Sequence, residues 1–121
     1  MLKLISFSAL AALAFFPLSA GAASLRQCSS ASYYGHGDGY AWQRMANGQP
    51  MNPEAMITAH RHFPFGTRLR VVNPNNGKSV DVVVSDRGPF VGDRALDLSY
   101  GAFRRIASPS QGVVKVCFTA V

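Results

Sequence analysis

Residues 67–86 read TRLRVVNPNNGKSVDVVVSD, and this stretch points to the fold class. In its first part polar Arg68 and Arg70 alternate with apolar Leu69 and Val71. In its last part Val80, Val82 and Val84 share one side, with Asp81 and Ser85 on the other. A period of two is the strand period, because successive side chains leave a pleated backbone on opposite faces. Between the two lies Asn73-Pro74-Asn75-Asn76-Gly77-Lys78, rich in residues that turn the chain. Segments 67–73 and 79–85 are therefore expected to pair as a hairpin.

Working outward, residues 112–121 alternate in the same way, with Val114, Val116 and Phe118 opposite Lys115 and Thr119, and residues 28–34 suit a first strand. Ser99 is a good helix N-cap for a short helix over 100–106. Arg104 and Arg105 then fall in the last turn, where positive charge suits the helix dipole, and Pro109 lies beyond. A further helical turn is expected within 53–60. Many short strands and one or two short helices make this an all-β chain, a small barrel or sandwich.

Residues 1–23 read as a secretory signal peptide: Lys3, an apolar run from Leu4 to Leu18, then Ala20-Gly21-Ala22-Ala23 before the cut. The run is shorter than the roughly 20 apolar residues of a spanning helix. No cysteine directly follows it, so a lipid anchor is not expected. One domain, 24–121, is then exported, to the periplasm or beyond. Its two cysteines, Cys28 and Cys117, lie near its two ends in strand-like stretches. An oxidising compartment favours a disulfide between them; two separate buried thiols are the alternative. Lys and Arg number 12 against 6 Asp and Glu. Such a balance attracts anionic polymers, and for an exported chain cell-wall polymer is a more natural partner than nucleic acid. The basic residues are scattered, as they also are on any solvated surface, and a monomer is the default.

Asp86 is the carboxylate of most interest. If the strand stays regular, it lies on the side of Val80, Val82 and Val84, at the rim of an apolar interior, before the tight turn Arg87-Gly88-Pro89. Partial desolvation there prepares a carboxylate for general acid work. An aspartate capping its own turn, paired with Arg87, is the commoner role, and the sequence leaves both open. His60 and His62 would share a strand face, but no third ligand at metal spacing accompanies them, so packing or hydrogen bonding is the expected role. Tyr33, Tyr34, Tyr40 and Trp42, interrupted by Gly35, Gly37 and Gly39, offer flat faces with polar tips that suit sugar rings, with at least one tyrosine expected in the core. Asp97, just before the helix, reads as a structural partner of the helix N-terminus, and Glu54 as a solvated or capping residue.

The order Ala31-Ser32-Tyr33-Tyr34-Gly35, Ala46-Asn47-Gly48, Thr58-Ala59-His60, Pro64-Phe65-Gly66-Thr67, Asp86-Arg87-Gly88-Pro89-Phe90 and Asp97-Leu98-Ser99-Tyr100 resembles the rare lipoprotein A-like family, the septal-ring type of lytic transglycosylase. The similarity runs from about Ser30 to Val121. It implies a six-stranded double-psi β-barrel. It also implies cleavage of the β-1,4 bond between N-acetylmuramic acid and N-acetylglucosamine in peptidoglycan strands, preferably stripped of stem peptides, to leave a 1,6-anhydro end. No metal or other cofactor is implied. The family's catalytic aspartate matches Asp86 and its active-site histidine His60; Gln49, Tyr34 and Arg87 are the expected substrate-binding residues. Gln49 stands where the family usually carries glutamate, Asn52 where it often has aspartate, and Met45 where it has threonine. An amide can hydrogen-bond a sugar but cannot exchange a proton. The same residues therefore also fit a glycan-binding barrel that no longer cuts, in the manner of expansin-like proteins.

Overall fold

A computed structural model describes residues 25–121; the expected signal peptide, residues 1–23, lies outside the described residues. The strands are β1 (Gln27–Tyr34), β2 (Ile57–Ala59), β3 (Arg68–Val72), β4 (Ser79–Asp86), β5 (Leu96–Ser99) and β6 (Val114–Ala120), with helix α1 (Tyr100–Ile106) between β5 and β6. They close into a barrel in the order β1-β5-β2-β4-β3-β6. The β1–β5 and β2–β4 pairs are parallel and the others antiparallel, in the double-psi arrangement. Closure removes every exposed sheet edge.

The expected hairpin is β3–β4. Leu69 pairs with Val82 and Val71 with Val80, all buried, while Arg70 and Asp81 face outward and form a two-pronged ion pair at 2.9 and 3.0 Å. Asn73 builds the turn: its side-chain oxygen accepts from Asn75 N–H, and its amide donates to the Ile106 carbonyl, tying the turn to the end of α1. Inside the barrel Ala31, Leu69, Val71, Val82, Val84, Leu96, Leu98, Val116 and Phe118 meet Ala102, Phe103 and Ile106 of the helix. Ser99 caps that helix, its hydroxyl oxygen accepting from Ala102 N–H at 3.1 Å. Cys28 and Cys117 are direct partners across β1 and β6 and are joined by a disulfide.

The helical turn expected within 53–60 does not form. Asn52 accepts from Glu54 N–H through its side chain and from Ala55 N–H through its carbonyl, making one tight turn. The β-branched Ile57 and Thr58 then enter β2, between β4 and β5, where stiff branched side chains pack well. Gly101 N–H donates to the Pro53 carbonyl, and a Cβ on Gly101 would meet Glu54 Cα at 2.9 Å, so only glycine lets the helix approach this turn.

Candidate active site

The site rests on one irregularity in the barrel. Along the parallel β2–β4 pair, Thr58 faces Val84 but Ala59 faces Asp86, so Ser85 is an extra residue in β4. One extra residue moves everything after it to the other face. Asp86 therefore does not continue the valine side, as a regular strand would require. It joins Ala59 and, through the Ala59–Asp97 pair, Asp97 of β5, whose neighbours Leu96 and Leu98 point into the core. Asp86 and Asp97 thus flank Ala59 on the outer face of the barrel, in a cleft of about 370 Å³ that Tyr34, Tyr40, Arg44 and Phe90 also line.

Three donors converge on Asp86. Tyr34 donates its phenolic O–H to Oδ2 at 2.7 Å, and the backbone N–H groups of Ala46 and Arg87 donate to Oδ1, each at 2.9 Å. The Ala46 donor explains the Ala46-Asn47-Gly48 signature. Met45 N–H bonds the Gln49 carbonyl, Gly48 N–H bonds the Met45 carbonyl, and Asn47 accepts from Gln49 N–H, so a tight turn presents Ala46 N–H to the acid. Tyr34 packs beside Met45 and Met51 in a small apolar cluster. Burial first, and then its bond to Asp86, pushes the Tyr34 phenol far above its ordinary range, so it stays a donor. Gly35, at φ 95, directly follows; a Cβ there would strike Met51 Cε at 2.6 Å and displace that cluster.

Asp97 was read from sequence as serving the helix; the barrel puts it in the cleft. Its Oδ1 accepts from the Ser32 hydroxyl at 3.0 Å. Burial raises its pKa from the usual aspartate range, against the opposing effect of the Ser32 bond. Leu96 and Leu98 on either side turn the acid away from the core, a pattern too short to mark a strand in the sequence.

His60 is buried next to the site. Its Nδ1 accepts from the N–H groups of His62 and Phe63 at 3.0 and 2.9 Å, and its ring stacks on Phe63 at 3.9 Å between centroids. Nδ1 is thus an acceptor and the neutral ring carries its proton on Nε2. Burial, with His62, Arg87 and Arg61 nearby, lowers its pKa to about 4. The His60 backbone N–H bonds the Asp86 carbonyl at 3.1 Å. Arg87 donates to the His60 and Phe63 carbonyls at 3.2 and 2.8 Å and lies 4.0 Å over the Phe65 ring. Arg61 bonds the carbonyls of Pro89 and Arg94, both at under 3 Å, holding the loop that carries exposed Phe90 and Val91. Gln49 is exposed at the end of the Ala46 turn and is not among the residues lining the Asp86 cleft. Of the aromatic group, Tyr33 packs on Phe103 and belongs to the core side, whereas Tyr40 and Trp42 are exposed.

A family model described as lytic transglycolase matches residues 26–118. "Probable endolytic peptidoglycan transglycosylase RlpA" of a Nostoc strain is 54% identical over 86 residues, 71% of this chain and 23% of that protein. "Endolytic peptidoglycan transglycosylase RlpA" of Pseudomonas aeruginosa is 38% identical over 105 residues, 84% of this chain and 29% of that protein. The chain therefore spans under a third of the length of these relatives. Among solved structures, the apo expansin of Clavibacter michiganensis superposes with a TM-score of 0.64 at 25% identity, over 80% of this chain and 50% of that one.

Proposed function

Since the chain belongs to the lytic transglycolase family, we propose that it cuts the β-1,4 bond between N-acetylmuramic acid and N-acetylglucosamine in peptidoglycan strands, leaving 1,6-anhydro ends. The observation that carries this reading is Asp86, held by three donors in an open cleft. Asp86 acts first as acid. Its proton goes to the glycosidic oxygen as the bond from C1 of the muramic acid breaks. The three donors then hold the carboxylate, and their bonds are stronger to the anion than to the acid. The muramic acid's own C6 hydroxyl attacks C1 and gives its proton to Asp86, which is restored. No water is consumed, so correct orientation of the sugar replaces activation of a bound nucleophile. His60 is the positioning residue: it fixes the 60–63 turn, on whose carbonyls Arg87 rests.

The Cys28–Cys117 disulfide supports export to an oxidising compartment, with residues 1–23 removed on the way. The test is digestion of purified peptidoglycan, intact and stripped of stem peptides, with products read by mass spectrometry. Anhydro-muramic ends are expected. Reducing ends would mean hydrolysis and overturn the intramolecular step.

A second reading rests on Gln49, an amide where the resemblance to the family implies a carboxylate. On that reading the barrel binds wall glycan without cutting it. Capture of the protein by the glycan with no soluble product would decide for it.

A further inference from the structure

Beyond Asp86 the cleft continues into a second groove. Trp42, Arg44, Gly48 and Pro50 line a surface groove of about 230 Å³, and Arg44 lines the Asp86 cleft as well. The two therefore share Arg44 as a lining residue. We propose that Trp42 and Arg44 form a subsite for N-acetylmuramic acid, in which the indole takes the sugar's apolar face and Arg44 takes its lactyl carboxylate. This rests on the glycan-cutting reading above and adds a residue basis for a preference for stripped strands.

Trp42 is the more unusual of the two. Its side chain is 62% exposed, and its backbone sits at φ 67, the only described non-glycine residue with positive φ. Bulky residues avoid that region. The conformation is fixed on both sides: Trp42 N–H bonds the Met51 carbonyl at 2.6 Å, Gln43 N–H the Tyr40 carbonyl at 3.1 Å, and Met51 N–H the Gln43 carbonyl at 2.8 Å. A glycine would hold this turn without strain, and an exposed indole gains nothing from the core. Strain retained at an exposed aromatic points to a ligand. Indole faces suit pyranose rings, which present C–H groups on one side and hydroxyls at the edge.

Arg44 supplies the selectivity. Its Nη1 donates to the Gly48 carbonyl at a long 3.3 Å, and among the described residues it forms no ion pair. By contrast, Arg87 and Arg61 are committed to backbone carbonyls. N-acetylmuramic acid differs from N-acetylglucosamine by a lactyl ether. That group ends in a carboxylate when the stem peptide is gone and in an amide when it is present. A free guanidinium binds a carboxylate through two parallel charge-assisted bonds and an amide far less well.

The test is titration calorimetry on Asp86→Asn, which keeps the probes uncut. The probes are a tetrasaccharide of alternating N-acetylglucosamine and N-acetylmuramic acid with free lactyl groups, the same with alanine-amidated lactyl groups, and chitotetraose. The acid form should bind roughly tenfold tighter than the amide. Adding Arg44→Gln should erase that preference, bringing the two forms to equal affinity. Adding Trp42→Gly should weaken both forms about tenfold while the melting temperature holds or rises, since glycine adopts φ 67 freely. Equal binding of all three probes by the parent would leave the glycan reading standing and overturn the subsite. So would a preference that survives Arg44→Gln, or full affinity in Trp42→Gly. Binding of none of the probes would overturn both.

Discussion

The Tyr34 hydroxyl donates to Asp86 Oδ2 at 2.7 Å from the end of β1, which is separated from β4 by two strands whichever way round the barrel is followed. Closure of the barrel is what brings them together, and among the described residues the phenol is the one side-chain donor to the acid. Tyr34→Phe removes that donor and keeps the ring against Met45 and Met51. Loss of one preorganised donor costs roughly a hundredfold to a thousandfold in turnover. We expect a fall in kcat within that range with KM and melting temperature close to the parent's, measured on stripped glycan and by calorimetry. An unchanged kcat would remove Tyr34 from the mechanism.

Asp97 places a second carboxylate in the same cleft, and its pKa is raised by burial. For an acid whose pKa is higher folded than unfolded, the native state holds the proton more tightly. Stability linked to it is greatest at low pH and is lost as pH rises through the folded value. Asp97→Asn removes that loss and retains an acceptor for Ser32. The variant should melt higher than the parent at pH 7, with the gap closing toward pH 4. It should also bind or cut glycan less well. A lower melting temperature at neutral pH would show that the Asp97 charge stabilises the barrel.

His60 gives the opposite dependence on pH. Its pKa is lowered to about 4, against about 6.5 for a free histidine. The unfolded chain therefore binds the extra proton first, and stability falls as pH drops from about 6.5 toward 4. Replacing His60 with Asn should flatten this part of the stability curve, because the amide accepts hydrogen bonds without titrating. Melting curves of both proteins across this window test it; parallel curves would assign the acid sensitivity elsewhere.

The disulfide joins residues 89 apart in sequence and closes almost all of the described chain. Cys28→Ser with Cys117→Ser should lower unfolding free energy by about 2–5 kcal/mol in denaturant titration, with the native strand order kept. A loss well under 1 kcal/mol would mean that the unfolded chain is already compact.

Alternation was legible in β3, β4 and β6. The β3–β4 hairpin, β6 and the Ser99 cap follow directly from residue spacing. β2 has three residues and β5 four, too few to display a period, and they sit where a helical turn and a helix lead-in were expected. Asp86 stood out by its place before a turn and by family resemblance. Its facing did not, because the bulge at Ser85 depends on the register of β2 against β4, and no local pattern in β4 records it. Asp97 was hidden for the same reason: only barrel closure brings β5 next to β2. The role of the Ala46 turn likewise depends on contact with a residue 40 positions away.

The most direct test of the central claim is the product spectrum of Asp86→Asn on stripped peptidoglycan, beside the parent at equal concentration. The amide fills the same space, its oxygen accepting from the Ala46 and Arg87 N–H groups and its NH2 donating to the Tyr34 hydroxyl, so the barrel should melt within a few degrees of the parent. It cannot deliver a proton to the glycosidic oxygen. We predict that anhydro-muramic ends appear with the parent and vanish with Asp86→Asn while the variant still binds the strands. Anhydro ends formed by the variant at the parent's rate would contradict the assignment of Asp86 as the acid.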